Sequence, residues 1–189
     1  MAAAPTSDLI TPDTFLTMRK QEGAELVDGR IVEVPMGSMS SWLGGELLFL
    51  IKLFLRSHDL GWAFPQETGL AIWPNRNRVR KPDLTFVRHG RLKDGKPDEG
   101  WLTTVPDLVV EVVSPKDRAS DLELKLDEYR EAGIALIWVI YPTTRRAQVL
   151  GANRPRTEIG PDGVLDGEDV LPGFTCSLRE LFEAANPEA

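Results

Sequence analysis

The chain has 189 residues, enough for one domain with a substantial core. A hydrophobic fraction of 42% and a charged fraction of 27% are those of an ordinary soluble protein, and a net charge of −7 argues against broad nonspecific binding to nucleic acid. One cysteine, Cys176, excludes an intrachain disulfide and a CxxC zinc site, and two histidines, His58 and His89, exclude a histidine-rich metal centre.

The opening MAAAPTSDLI has no basic residue ahead of an apolar core, so no signal peptide is expected. Thr11 and Pro12 suit the cap and first turn of a short helix reaching about Glu22. ELVDGRIVEV reads as two strands around Asp28-Gly29, a strong hairpin signal. A helix is expected from about Ser40 to His58, with Leu43, Leu47, Leu50, Ile51 and Phe54 on one face. His58, at its C-terminal end, reads as structural, and His89 as a loop residue. The longest apolar run, WLGGELLFLIKLFL, is 14 residues and carries Glu46 and Lys52, too short and too charged to span a bilayer. A cytoplasmic protein without a membrane segment is the expectation.

ETGLAIW and KPDLTFV read as successive strands with a basic turn between them. Seven cations (Arg76, Arg78, Arg80, Lys81, Arg88, Arg91 and Lys93) surround one acid, Asp83, which makes either a solvated loop or a local basic surface. PDLVVEVVS is a strand buried on both faces, and Asp121 to Ala132 is a helix stopped by Gly133. ALIWVIYP is a buried strand ended by Pro142, and RAQVLGA is another strand. The tail reads as a loop, GPDGVLDGED, and a last helix from about Ser177 to Ala185. No repeat or linker is visible. A meander followed by strand–helix–strand implies an α/β fold: a mixed central sheet flanked by helices, in a single domain over 1–189 with its core at about 11–185.

Two carboxylates interrupt these strands. Glu111 stands in a run of valines, where a lone carboxylate is costly. If the two acidic strands pair antiparallel with Asp83 opposite Glu111, then Val87 faces Asp107 and the apolar stretches overlap fully. Two close carboxylates repel unless they share a proton or hold a cation, and their oxygens suit magnesium or manganese. The competing reading is a salt bridge from one acid to an arginine of the basic stretch. In the helix DLELKLDEYREA, Leu122, Lys125, Tyr129 and Ala132 share one stripe, so Lys125 can swing toward the acids. It can equally be a surface i,i+4 partner of Asp121.

The segments ELVDGRIVEVP, KPDLTFV, PDLVVEVVSP, KLDEY and LIWVIYP run in this order from Glu25 to Pro142. Together they resemble the Uma-two-type family of putative restriction endonucleases, within the PD-(D/E)XK nuclease superfamily. The resemblance implies a restriction-endonuclease-like mixed sheet and metal-dependent hydrolysis of DNA phosphodiester bonds. Asp83 and Glu111 match the D and the E of the motif. They would hold Mg2+, or Mn2+, with the Val112 carbonyl as a third ligand. The superfamily lysine belongs at the position of Val113. Lys125, in KLDEY, matches relatives whose lysine has moved to the following helix. Glu25, by its match to an EL-DG motif, and Glu67 are further acids that could complete the metal shell, although Glu67 could equally pair with Arg80. Relatives often carry a histidine where Ser40 stands. DNA is the implied partner. A homodimer is an option, because cutting both strands uses two sites, and the apolar helix near Trp42 could join them unless it is core. The rival reading is a catalytically silent nuclease fold that binds DNA or protein. The net charge and Val113 favour the rival; the triad of Asp83, Glu111 and Lys125 favours the enzyme.

Overall fold

Thr11 caps the first helix, α1 (Pro12–Thr17), by accepting a hydrogen bond from the Thr14 amide. The computed structural model describes residues 9–34 and 37–185. A 3₁₀ turn, Arg19–Gln21, follows α1. Strands β1 (Ala24–Val27) and β2 (Arg30–Glu33) form the expected hairpin. Asp28 and Gly29 at its tip have φ of 48° and 76°, the positive values that a two-residue hairpin turn of this hand requires. Helix α2 (Ser38–Leu55) buries Leu43, Leu47 and Ile51. It is long and apolar enough to cross a membrane by length and composition, but this face packs against the sheet. Met39, Trp42, Phe49 and Leu53 face outward and are exposed, so Trp42 is not core. His58 stacks on Phe54 with ring centroids 4.0 Å apart, a structural role as expected.

The main sheet is assembled from β3 (Gly61–Pro65), β4 (Leu84–Arg88), β5 (Leu108–Val112), β6 (Leu136–Tyr141), β7 (Arg146–Gly151) and β8 (Arg154–Ile159), in that spatial order. Helix α3 (Ala119–Glu131) carries the chain from β5 to β6, the parallel pair of this sheet. Its other neighbours run antiparallel. Gly133, at φ 86°, follows α3. A short hairpin, β9 (Val164–Asp166) with β10 (Thr175–Ser177), leads into α4 (Leu178–Ala184). The sheet is covered on both faces. Leu43, Leu47 and Ile51 of α2 and Leu178 and Leu181 of α4 pack with Phe86, Val110 and Trp138. On the other face Leu126 and Tyr129 of α3 pack with Val87, Val109, Ile137 and Val139.

Two expectations fail on long-range grounds. ETGLAIW is not a strand of the sheet: it makes only isolated bridges, from Leu70 to Arg80 and Leu102, outside the sheet's strands. Leu70, Ile72 and Trp73 are buried, so the apolar pattern reported burial rather than sheet pairing. The neighbour of β4 is instead GWAFP, whose Pro65 is tolerated because β3 is an edge strand. In the tail, VLD pairs as β9, although it reads as loop. RPRTEI, exposed and proline-containing, forms the opposite edge strand. Gly151 lets β7 pass close to the chain entering β6, because a Cβ there would overlap the Ala135 carbonyl oxygen. Gly151→Ala is expected to cost about 1–3 kcal/mol, the usual range for forced overpacking, read as a lower denaturant midpoint at unchanged slope.

Candidate active site

Leu84 opposes Val110 and Thr85 opposes Val109 across β4 and β5. The ladder ends at the first of these pairs, with Asp83 the residue before Leu84 and Glu111 the residue after Val110, as the suggested register requires; Asp83 packs against Gly44 of α2, whereas Glu111 reaches Lys125 and Tyr129 of α3. Asp83 Oδ2 accepts a 2.6 Å hydrogen bond from the Val112 amide. Glu111 accepts from the Tyr129 hydroxyl at 2.7 Å and from Lys125 Nζ at 2.9 Å. Val113, where the superfamily would place its lysine, continues the sheet by donating to Ile140 O at 2.8 Å.

Lys125 is buried and reaches inward from α3. Its Nζ lies 2.9 Å from Glu25 Oε1 and 2.9 Å from Glu111 Oε1, so its partners are these two acids and not Asp121. Glu25, on β1, has every carboxylate oxygen engaged. Oε1 also accepts the Lys81 amide at 2.8 Å, and Oε2 accepts Arg80 at 2.8 Å. Arg80 in turn forms a two-pronged pair with Glu128 at 2.7 and 2.9 Å.

The basic stretch is therefore neither a solvated loop nor a free basic surface along most of its length. Arg78, Arg80 and Lys81 are buried and paired internally, with Asp28, with Glu25 and Glu128, and with Glu67 respectively. Arg88 and Arg91 both hold the buried Asp107. A chain of net charge −7 uses these cations as counter-ions for its own acids, of which Glu25, Glu128 and Asp107 are the least exposed.

Asp83, Glu111, Val112, Lys125 and Glu25 line one cleft of about 330 Å³. Ser40 borders it too, its hydroxyl donating to Gly37 O at 2.9 Å. Glu67 lies outside this cleft, and its carboxylate takes Lys81 Nζ at 2.7 Å rather than Arg80. Tyr129, Arg80 and Glu128 belong to the cluster but are absent from the sequence-based set. Tyr129 was legible in principle, because it stands four residues after Lys125 on the same helix face. Arg80 and Glu128 are 48 residues apart, and no local pattern joins them.

The electrostatics divide the acids into two kinds. Burial pushes the Asp83 carboxyl up to about 6, against the pull of the Val112 amide and Lys125. Burial likewise raises Glu111 to about 7, against the attraction of Lys125 and with added repulsion from Asp83 and Glu25. Burial acts on Glu25 in the same direction, yet Lys125 and Arg80 together hold it below the ordinary carboxylate range. Lys125 is driven up by Glu111 and Glu25 despite its burial. Asp83 and Glu111 are thus short of positive charge, and Glu25 is not. No group of three or more histidine, cysteine, aspartate or glutamate side chains forms a ready-made metal cage among the described residues. Two hard carboxylates in an open cleft fit Mg2+, which keeps several waters and commonly takes one or two protein carboxylates.

A mixed sheet covered by helices, with paired acids at adjacent strands and a lysine swung in from the next helix, defines a protein of the restriction-endonuclease-like class. Residues 12–179 match the Uma2 family, described as putative restriction endonucleases, and the chain belongs to that family. Its fold is similar to the crystal structure of a putative nuclease belonging to DUF820 from Anabaena variabilis. The TM-score is 0.77 at 20% identity, over 92% of this chain and 98% of that chain. No curated protein matches.

Proposed function

We propose that this chain is a metal-dependent endonuclease that hydrolyses DNA phosphodiester bonds. The observation that carries the reading is that Asp83 and Glu111, next to the last paired residues of β4 and β5 and both short of positive charge, line one cleft with Lys125, which holds Glu111. Family membership supports it. Asp83 and Glu111 would hold Mg2+ or Mn2+, with the Val112 carbonyl as a third oxygen. When bound, the ion supplies polarisation of the phosphate and a more acidic water. Lys125 steadies charge that develops on the phosphate oxygens, and Tyr129 fixes the Glu111 carboxylate by its hydrogen bond.

One observation favours a second reading, a silent nuclease fold that binds DNA or protein: Lys125 and Tyr129 already engage both Glu111 oxygens. Plasmid cleavage in magnesium or manganese, with a chelator control, separates the two. Turnover that the chelator abolishes supports the enzyme; DNA retention without turnover in either metal supports the silent fold. The same site predicts that millimolar magnesium raises the melting temperature, because an ion that binds only the folded chain stabilises it by mass action. At 100 times its dissociation constant the gain is about 2.7 kcal/mol.

A further inference from the structure

A lysine two residues after the glutamate would be aimed by the strand itself, but a lysine arriving from α3 needs another guide. The geometry points to Glu25 as the residue that positions Lys125, and not as a ligand of the metal. The inference goes beyond the nuclease reading and rests on it only for its activity arm. Lys125 Nζ sits midway, 2.9 Å from both Glu25 and Glu111, so Glu25 is the second of two carboxylates that draw the ammonium to the cleft. Glu25 is itself immobilised. The Lys81 amide holds one oxygen and Arg80 the other, and Arg80 is locked onto Glu128 of the same helix that carries Lys125. Strand β1 is thereby tied to α3 at two points, Lys125 and Glu128, through one carboxylate. With three donors on two oxygens and its side chain 4% exposed, Glu25 has little left to offer an ion. The basic stretch and the EL-DG segment both acquire a purpose here. Arg80 and the Lys81 amide from the first, and Glu25 from the second, form the frame that holds the displaced lysine.

The test compares wild type, Glu25→Gln and Asp83→Asn. In the metal-free protein, acylation of Lys125 by a water-soluble anhydride, followed by mass spectrometry, reports how firmly the amine is held. Glu25→Gln should raise the Lys125 labelling rate about tenfold or more, as local opening becomes cheaper. Calorimetric titration with manganese should show affinity reduced by no more than about a hundredfold in Glu25→Gln, the upper end for an outer partner, and lost in Asp83→Asn. In plasmid cleavage, Glu25→Gln should lower kcat by about a hundredfold with KM unchanged, the cost of a misplaced group. Unchanged Lys125 labelling, or manganese binding lost as fully as in Asp83→Asn, would overturn the assignment. If Asp83→Asn binds manganese like wild type, the metal reading falls instead, and the labelling result still decides the role of Glu25. Should Glu25→Gln fail to fold, Glu25→Asp withdraws the same charge by one methylene. Its Lys125 labelling must then rise, or the assignment is wrong.

Discussion

Lys125→Met should lower DNA cleavage by about a hundredfold or more while leaving DNA affinity nearly unchanged. Methionine keeps the length and apolar stem but removes the charge. If the ammonium acts on the developing phosphate charge, its loss costs about 3–4 kcal/mol in the barrier, which appears in kcat rather than in KM. The variant carries a stability cost as well, because Lys125 is buried between two carboxylates. Removing one partner of a buried ion pair commonly costs about 3–5 kcal/mol, since the remaining charge is left without compensation. Here that cost depends on pH. Glu111 already takes up a proton near pH 7, and without Lys125 it will do so more readily. The destabilisation should therefore be large at pH 8 and smaller at pH 5.5. Thermal melts at both values measure this, and plasmid cleavage in manganese measures the rate. Cleavage like wild type by a folded Lys125→Met would remove Lys125 from the site.

Asp83→Asn should do the opposite to stability and more to activity. Cleavage should fall by about a thousandfold or more, because a lost metal carboxylate removes several kcal/mol of electrostatic stabilisation. The metal-free protein should become more stable at pH 8 by about 1–3 kcal/mol, or a few degrees in melting temperature. The sign follows from the direction of the shift. The Asp83 carboxyl is raised from an ordinary 3.8 to about 6, so the folded state binds its proton more tightly than the unfolded state. The stability of the wild type is then favoured by this group below pH 4 and declines as pH rises through about 6. Asparagine has no proton to lose and can still accept the Val112 amide. Its melting temperature should vary less between pH 4 and pH 8, and magnesium should no longer raise it. An Asp83→Asn protein that is less stable than wild type at pH 8 without metal would contradict the charge-starved site.

Local pattern was enough for the parts of this molecule whose partners lie nearby or whose periodicity is unambiguous. The Asp28-Gly29 turn forces its hairpin, because both residues must take positive φ. The valine-rich strand and KPDLTFV set their own register, because only one offset overlaps both apolar stretches, and that offset, seen in Leu84 opposite Val110, puts Asp83 and Glu111 at the same end of the pair. The helical stripe allowed Lys125 to turn inward, but a surface pairing with Asp121 suited it equally, and the fold chose the former. Other features were decided only by the assembled fold. ETGLAIW and GWAFP are both short and apolar, and the choice of which joined β4 depended on the whole sheet edge. The seven cations gave no sign of whether they faced water or buried acids, since charge pairing requires partners up to 55 residues away, as Arg80 and Glu25 are. Of the two extra acids only Glu25 carried a motif match, and the sequence offered both to the metal shell. Glu25 entered the cleft and was claimed by Lys125 and Arg80, whereas Glu67 stayed outside with Lys81. Periodicity tells which way a side chain points, but what waits for it there is supplied by distant segments, and so the identity of the partner is a property of the tertiary structure.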